Sequence, residues 1–336
     1  MKKLAVIIAI SLVLLASCKP NEEIPTKECV GNVTFTSENL KLEVAKVLGV
    51  SGEVSCDKIL ELEKLRILLT NIGTLDGLEH AQNLVDLNIA GGKISDLSPI
   101  SNLLKLQTLS LYNNKITDLS PLKNLSELRY LSLQDNPLSD ISAIGNLSKL
   151  RNLNIGANRD GRSHVSDISI LANLSDLRTL HLQNNPLNEN DLQVLVKLPK
   201  LYSLSLGKLG ISDISVIKKL PRLTGLNLEN NNISDITALK DLQRLRYLSL
   251  NNNQIKNIDS IKGLVNLQEL NLDFNLVSDI SAFDTNLGLH DSGDQIKIVR
   301  NCLDLSVGSK ALTTINKLIA SGVKVTYNSP KNTACP

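Results

Sequence analysis

The feature that most limits what this chain can become is a phrase that returns every 22 residues. The pattern Leu-x-x-Leu-x-Leu/Ile-x-x-Asn opens at Leu62, Leu84, Leu106, Leu128, Leu150, Leu177, Leu201, Leu223, Leu245 and Leu267. Successive spacings are 22, 22, 22, 22, 27, 24, 22, 22 and 22 residues. In the unit that opens at Leu106, apolar residues fall at positions 1, 4, 6, 11, 14, 17 and 20. The step from the fourth to the sixth position has the period of a strand, and the later steps of three fit a tight helical or 3-10 turn. No unit of this size can bury its own apolar stripe, so neighbouring units must stack. The expected fold is an α/β solenoid with one short strand per unit, the strands lying about 4.8 Å apart in a parallel sheet. The strand side packs more tightly, so the sheet should line a concave face and the turns a convex one. Ten units would extend roughly 50 Å at that spacing.

Composition agrees with a repeated core position. The 336 residues include 65 Leu and 36 Asn but only 3 Phe, 5 Tyr and no Trp, too few rings to fill a compact core. Disorder is excluded, because 42% of the chain is hydrophobic. A net charge of +2 offers no concentrated basic face, so no nucleic-acid partner is expected. Asn114, Asn136, Asn158, Asn185, Asn231, Asn253 and Asn275 hold the turn position after the strand, where a buried amide can satisfy backbone groups. Thr70, Gly92 and Leu209 interrupt that row.

The stretch Leu-Ser-Leu-Tyr-Asn-Asn-Lys-Ile-Thr-Asp-Leu-Ser-Pro-Leu, from Leu109 to Leu122, and its copies, including Leu228 to Leu239, resemble the leucine-rich-repeat family. The likeness is to its 22-residue bacterial internalin-like class and covers residues 35–285. Upstream, Phe35 to Leu78 resembles that family's amino-terminal cap. The resemblance implies a curved leucine-rich-repeat solenoid, and adhesion or host-receptor binding among its roles.

A solenoid needs finished ends. After Ser37, the apolar residues Leu40, Val44, Val47 and Leu48 recur at helical spacing and Gly49 is a stop, which predicts a helical N-cap. At the far end Ile296, Ile298 and Asn301 echo a last strand and turn. Ser309 then caps a helix to Ala320, with Leu312, Ile315, Leu318 and Ile319 facing inward, and Val323, Val325 and Tyr327 close as a strand. The expected division is a signal peptide over 1–17, a tether over 18–28, a cap over 29–61, ten repeats over 62–292 and an α/β C-cap over 293–336.

Met1-Lys2-Lys3 followed by the apolar run Leu4 to Ala16 reads as an export signal, too short for a membrane span. It ends in Leu15-Ala16-Ser17-Cys18, which resembles a bacterial lipoprotein signal and makes Cys18 the lipidated residue. Export places the other cysteines in an oxidising environment. They lie as one pair near each end, so Cys29–Cys56 and Cys302–Cys335 are the natural disulfides. Loops of this length make each worth roughly 3–4 kcal/mol in the chain-entropy model.

Little in the sequence points to catalysis. The four histidines, His80, His164, His181 and His290, have no ligand spacing, and no HExxH, GxSxG or phosphate-loop motif occurs. Asp96, Asp118, Asp140, Asp167, Asp213, Asp235 and Asp279 recur at one repeat position, as a scaffold residue does. No enzyme, metal or cofactor is expected. Binding is the better expectation. Tyr112, Tyr130, Tyr202 and Tyr247 occupy variable strand-side positions, with Phe274 beside them, although the chain is poor in rings. Exposed rings in a cleft anchor protein or glycan partners. Arg129, Arg151 and Arg178 stand at the second position of consecutive units, and Arg246 follows later. Their stacking costs about 1 kcal/mol per neighbouring pair in water; they form either a solvated ladder or a site for an acidic partner. The insertion Arg159-Asp-Gly-Arg-Ser163 lies beside that ladder.

The expected partner surface is the patch Tyr112, Arg129, Tyr130, Arg151, Arg178 and His181. A bare gap at Ser203, Ser205 and Gly207 separates it from a second, more acidic group, Tyr247, Glu269, Asp273 and Phe274. The protein is expected to be a monomer, held to a membrane of the cell envelope by its lipid. Its ligand is expected to be a protein, with a glycan such as peptidoglycan as the alternative.

Overall fold

The computed structural model describes residues 29–68, 71–159 and 162–328. Cys18, the tether, Thr70 and Cys335 lie outside the described residues. Among the described residues, twelve strands form one sheet in strict chain order, each hydrogen-bonded in parallel to the next. The ten repeat strands are β1 (Lys64–Leu68), β2 (Asp86–Ala90), β3 (Thr108–Ser110), β4 (Tyr130–Ser132), β5 (Asn152–Asn154), β6 (Thr179–His181), β7 (Ser203–Ser205), β8 (Gly225–Asn227), β9 (Tyr247–Ser249) and β10 (Glu269–Asn271). β11 (Gln295–Lys297) and β12 (Lys324–Thr326) continue the sheet beyond the repeats. On the opposite side, short 3-10 turns such as Ser98–Ile100 and Ser120–Leu122 bring each unit back. This is the curved solenoid that the repeat implies.

The core is a set of stacked leucine rows. Leu106, Leu109, Leu111, Ile116, Leu119, Leu122 and Leu125 of one unit are all buried, and so are their counterparts in the neighbouring units. Each unit covers the next one's apolar edge, so burial runs the length of the molecule rather than to a centre. Among the described residues, Phe283 is the one ring that is fully buried, at the C-terminal end.

Backbone polarity is satisfied by a second ladder. In six units, and again at Asn301, an asparagine amide is buried between neighbours. Asn253 is representative: its Oδ1 accepts from Ile233 N at 3.0 Å, and its Nδ2 donates to Leu228 O at 3.0 Å and Leu250 O at 2.9 Å. The residue before it, Asn252, has φ 55°, in the left-handed region. Asn113, Asp135, Asn184 and Asn230 share that conformation, which their short polar side chains tolerate.

Asn158 departs from the expected row. It is exposed, and the buried Ser163 hydroxyl donates instead to Asn185 Oδ1 at 2.5 Å. The neighbouring units explain how the ladder survives gaps at 158 and 209. Lys115, Asn232, Gln254 and Leu276 each give their N–H to the unit before. At the equivalent place Pro137 and Pro186 have no N–H to give. There the chain turns on itself instead, with Leu138 N donating to Asn136 O and Leu187 N to Asn185 O.

Both ends are covered. Helix α1 (Glu38–Leu48) is capped by Ser37 and stopped by left-handed Gly49. Leu40, Val44 and Ala45 form its buried face, whereas Val47, in the last turn of the helix, is exposed. The Cys29–Cys56 disulfide, Cα–Cα 5.6 Å, ties the segment before α1 to α2 (Cys56–Ile59). Helix α3 (Lys310–Ala320) is capped by Ser309 and buries Ala311, Thr314, Ile315 and Leu318. Ile319 faces solvent, and Ala311 and Thr314 take the inward places. Cys302 takes part in a disulfide.

Candidate functional site

The fourth and sixth positions of each unit are the buried leucines, so the third, fifth and seventh face the open side of the sheet. Strand register stacks the third positions in one row. Along it Asn152, Thr179, Ser203 and Gly225 shrink step by step before Tyr247 and Glu269 rise again. The fifth positions give a second row: His181, Ser205, Asn227, Ser249, Asn271 and Lys297.

A groove of about 510 Å³ lies over this dip. Its floor is Ser203, Ser205, Gly225, Asn227 and Ser249. His181 and Gln183 stand at one end, with Gln295 and Lys297 at the other and Tyr247 and Glu269 between. The floor is preorganised. Asn227 Oδ1 accepts from Glu229 N at 2.9 Å and Asn271 Oδ1 from Asp273 N at 3.0 Å, which fixes both amides and leaves their Nδ2 groups for a ligand. Gln183 folds back over Gly156, where a Cβ would come within 2.4 Å of its amide carbon. Burial pushes the His181 imidazole below its ordinary value, so it is neutral at neutral pH and can both donate and accept. Among the described residues, Glu269 and Lys297 have no ion-pair partner. The groove thus offers an imidazole, a phenol, a carboxylate and an ammonium over a floor of hydroxyls and amides.

The expected patch is distributed differently. Tyr130 and His181 are on the open face, and Tyr112 is half-buried at a seventh position. Arg129, Arg151 and Arg178 precede their strands and run along the flank of the sheet; none of them lines the groove. Phe274 is at the other margin, 44% exposed, with φ 56°, and its ring lies 5.5 Å from the Arg300 guanidinium. Of the expected partner residues, His181 and Tyr247 line the groove. The groove occupies the region that reads in sequence as a bare gap. Its signal was the run of small residues itself, Ser203, Ser205, Gly207 and Gly225, which marks a floor between taller walls.

The flank has its own electrostatics. Glu127 and Asp176 bind Lys149 and Lys200 of neighbouring units. Those lysines, and more weakly the adjoining arginines, hold both carboxyls below their ordinary values. The arginines themselves have no carboxylate within ion-pair distance among the described residues. On the convex side, Asp140, Asp167 and Asp279 accept the backbone N–H and interact with the hydroxyl of the serine two residues on, which lowers their pKa values. Their repetition is turn capping.

Comparisons with known proteins agree with this architecture. A family model described as leucine-rich repeats (2 copies) matches residues 82–124 and 243–285, and a second, leucine-rich repeat, matches 209–255. No curated protein sequence matches significantly. An internalin (InlF) of Listeria monocytogenes is 31% identical, with 89% of this chain and 93% of that chain covered and a TM-score of 0.70. The chain belongs to the leucine-rich-repeat family, in its internalin-like class. Internalin C2 (InlC2) of the same organism shares 28% identity over 73% of this internalin-like chain and 99% of that one, at a TM-score of 0.54. A leucine-rich-repeat protein of Leptospira interrogans shares the fold at 24% identity and a TM-score of 0.68, covering 80% of this chain and 67% of that one. Among the described residues of this internalin-like protein, no helix is long and apolar enough to cross a membrane.

Proposed function

We propose that this protein is a non-catalytic, surface-exposed receptor or adhesin that binds a protein partner in the groove over β6 to β11. The observation that carries this reading is the groove itself: a floor of small polar residues, flanked by His181, Tyr247, Glu269 and Lys297, on the open face of a rigid sheet. Recognition usually concentrates in a few aromatic and charged anchors around such a depression. The internalin likeness supports the assignment at the level of binding scaffolds. The plant peptide hormone receptor RGFR1, 17% identical and alike in fold, has been solved in complex with RGF2. The partner here is a polypeptide segment that lays polar groups along the floor and packs against Tyr247. Replacing Tyr247 with alanine removes the tallest wall without touching the leucine core. Binding of a captured partner should weaken at least about 30-fold, near 2 kcal/mol, with an unchanged thermal melt; unchanged affinity would place the contact elsewhere.

The same reading makes the protein a monomer anchored to a membrane of the cell envelope through lipid on Cys18, with Cys302 and Cys335 joined at the C-cap. The apolar run before Leu15-Ala16-Ser17-Cys18 supports the anchor. Fatty-acid labelling should be lost in Cys18→Ala; equal labelling of the variant would remove the anchor.

A further inference from the structure

We infer that the flank of the sheet, separate from the groove, is a binding site for a linear sulfated polysaccharide. The second positions of six consecutive units form one backbone ladder: Arg151 N donates to Arg129 O, Arg178 N to Arg151 O, Tyr202 N to Arg178 O, Thr224 N to Tyr202 O and Arg246 N to Thr224 O. The row therefore reads Arg129, Arg151, Arg178, Tyr202, Thr224, Arg246 in single file, at steps of about 4.8 Å.

None of these four arginines has an ion-pair partner among the described residues, in a chain with 34 acidic residues. Glu127 and Asp176, whose charges reach Arg129, Arg151 and Arg178, are committed to Lys149 and Lys200. At the C-terminal end of the row, Arg246 and Arg244 converge on a recess of about 310 Å³ with Thr224, Tyr247 and Asn266. Tyr247 lines both this recess and the groove, so it is the wall between two sites.

Three properties select the ligand. Guanidinium forks match the paired oxygens of a sulfate ester in a way that ammonium groups do not. Tyr202, 42% exposed in the middle of the row, presents a ring face on which a sugar can stack. An acidic peptide would use the charges and leave that ring idle. The cations also form a line rather than a plane, which fits an extended chain with regularly spaced charges better than a bilayer. With a net charge of only +2, attraction must come from this local row rather than from the whole molecule.

The test measures binding to immobilised heparin, fully desulfated heparin, polyglutamate and phosphatidylserine vesicles over a range of salt. Wild type is compared with the triple variant Arg151→Gln, Arg178→Gln, Arg246→Gln, with Tyr202→Ala, and with Lys115→Gln, Lys123→Gln, Lys256→Gln, which removes the same charge elsewhere. Heparin binding should fall at least about tenfold in the arginine triple, with a shallower salt dependence. Tyr202→Ala should weaken it severalfold at an unchanged salt slope, and the lysine triple should match wild type. The groove variant Gly225→Tyr should still bind heparin, which keeps this outcome apart from the protein-partner reading. Equal loss in the two triples, or desulfated heparin retained as well as heparin, would overturn the proposal. So would polyglutamate or vesicles bound as tightly and with the same dependence on the arginines.

Discussion

The buried asparagine amide joins two units through their backbones rather than through side-chain packing. Removing Asn253 orphans the buried Ile233 N and takes from Leu228 O and Leu250 O one of their two amide donors, leaving each with the amide of the neighbouring unit, Asn231 or Asn275. Each unsatisfied buried group costs about 1–3 kcal/mol. Asn253→Ala should therefore lose about 2 kcal/mol in urea denaturation, whereas Asn158→Ala should stay within about 0.5 kcal/mol. Similar losses from the two variants would refute the ladder account. Sequence treats both residues alike, since they share a repeat position. The difference arises because residues 159–163 lengthen the unit and bring Ser163 to the buried site, which no repeat count can reveal. Phe274 is a second residue whose meaning lies in backbone shape. Units that hold Asn, Asp or Gly at its position meet the left-handed turn cheaply, and a bulky ring there is strained. Strain of this kind gathers at functional margins.

At the scale of elements, strands, turns and caps were legible because each obeys a local period or stop signal. Ser37, Gly49 and Ser309 bound their helices as their chemistry requires. Helix facing was less legible. A four-residue stripe does not say which neighbour covers it, and Val47 and Ile319 point to solvent where packing ends. The 3-10 turns are held by aspartates, and this gives them a pH dependence. Asp140, Asp167 and Asp279 have folded pKa values below the ordinary 3.8, mainly through the serine backbone N–H. Their contribution is present above 3.8 and is lost as pH falls through the lower folded values. The urea midpoint should thus be level above that pH and fall below it, and Asp140→Ala should show a shallower acid decline. An acid limb identical in the variant would assign the decline to other carboxylates.

Over the whole molecule, one parallel sheet from β1 to β12 makes every position a row, so a single small or large residue becomes part of a surface profile. The solenoid and its open face could be read from the repeat. The groove could not, because the small residues from Ser203 to Gly225 carry no motif and become a depression only beside the taller rows that stacking sets around them. Gly225 gives the most direct access to it. A Cβ there would meet only Ser203 Oγ, at 3.6 Å, so a large side chain can enter the groove without strain in the sheet. The decisive measurement is affinity for surface proteins captured by the wild-type chain, compared between Gly225→Tyr in the groove and Lys123→Tyr on the convex turns. Filling the groove should lower affinity at least about 30-fold, near 2 kcal/mol, and the convex variant should bind as wild type does. Full binding by Gly225→Tyr together with loss in Lys123→Tyr would contradict recognition through the concave face.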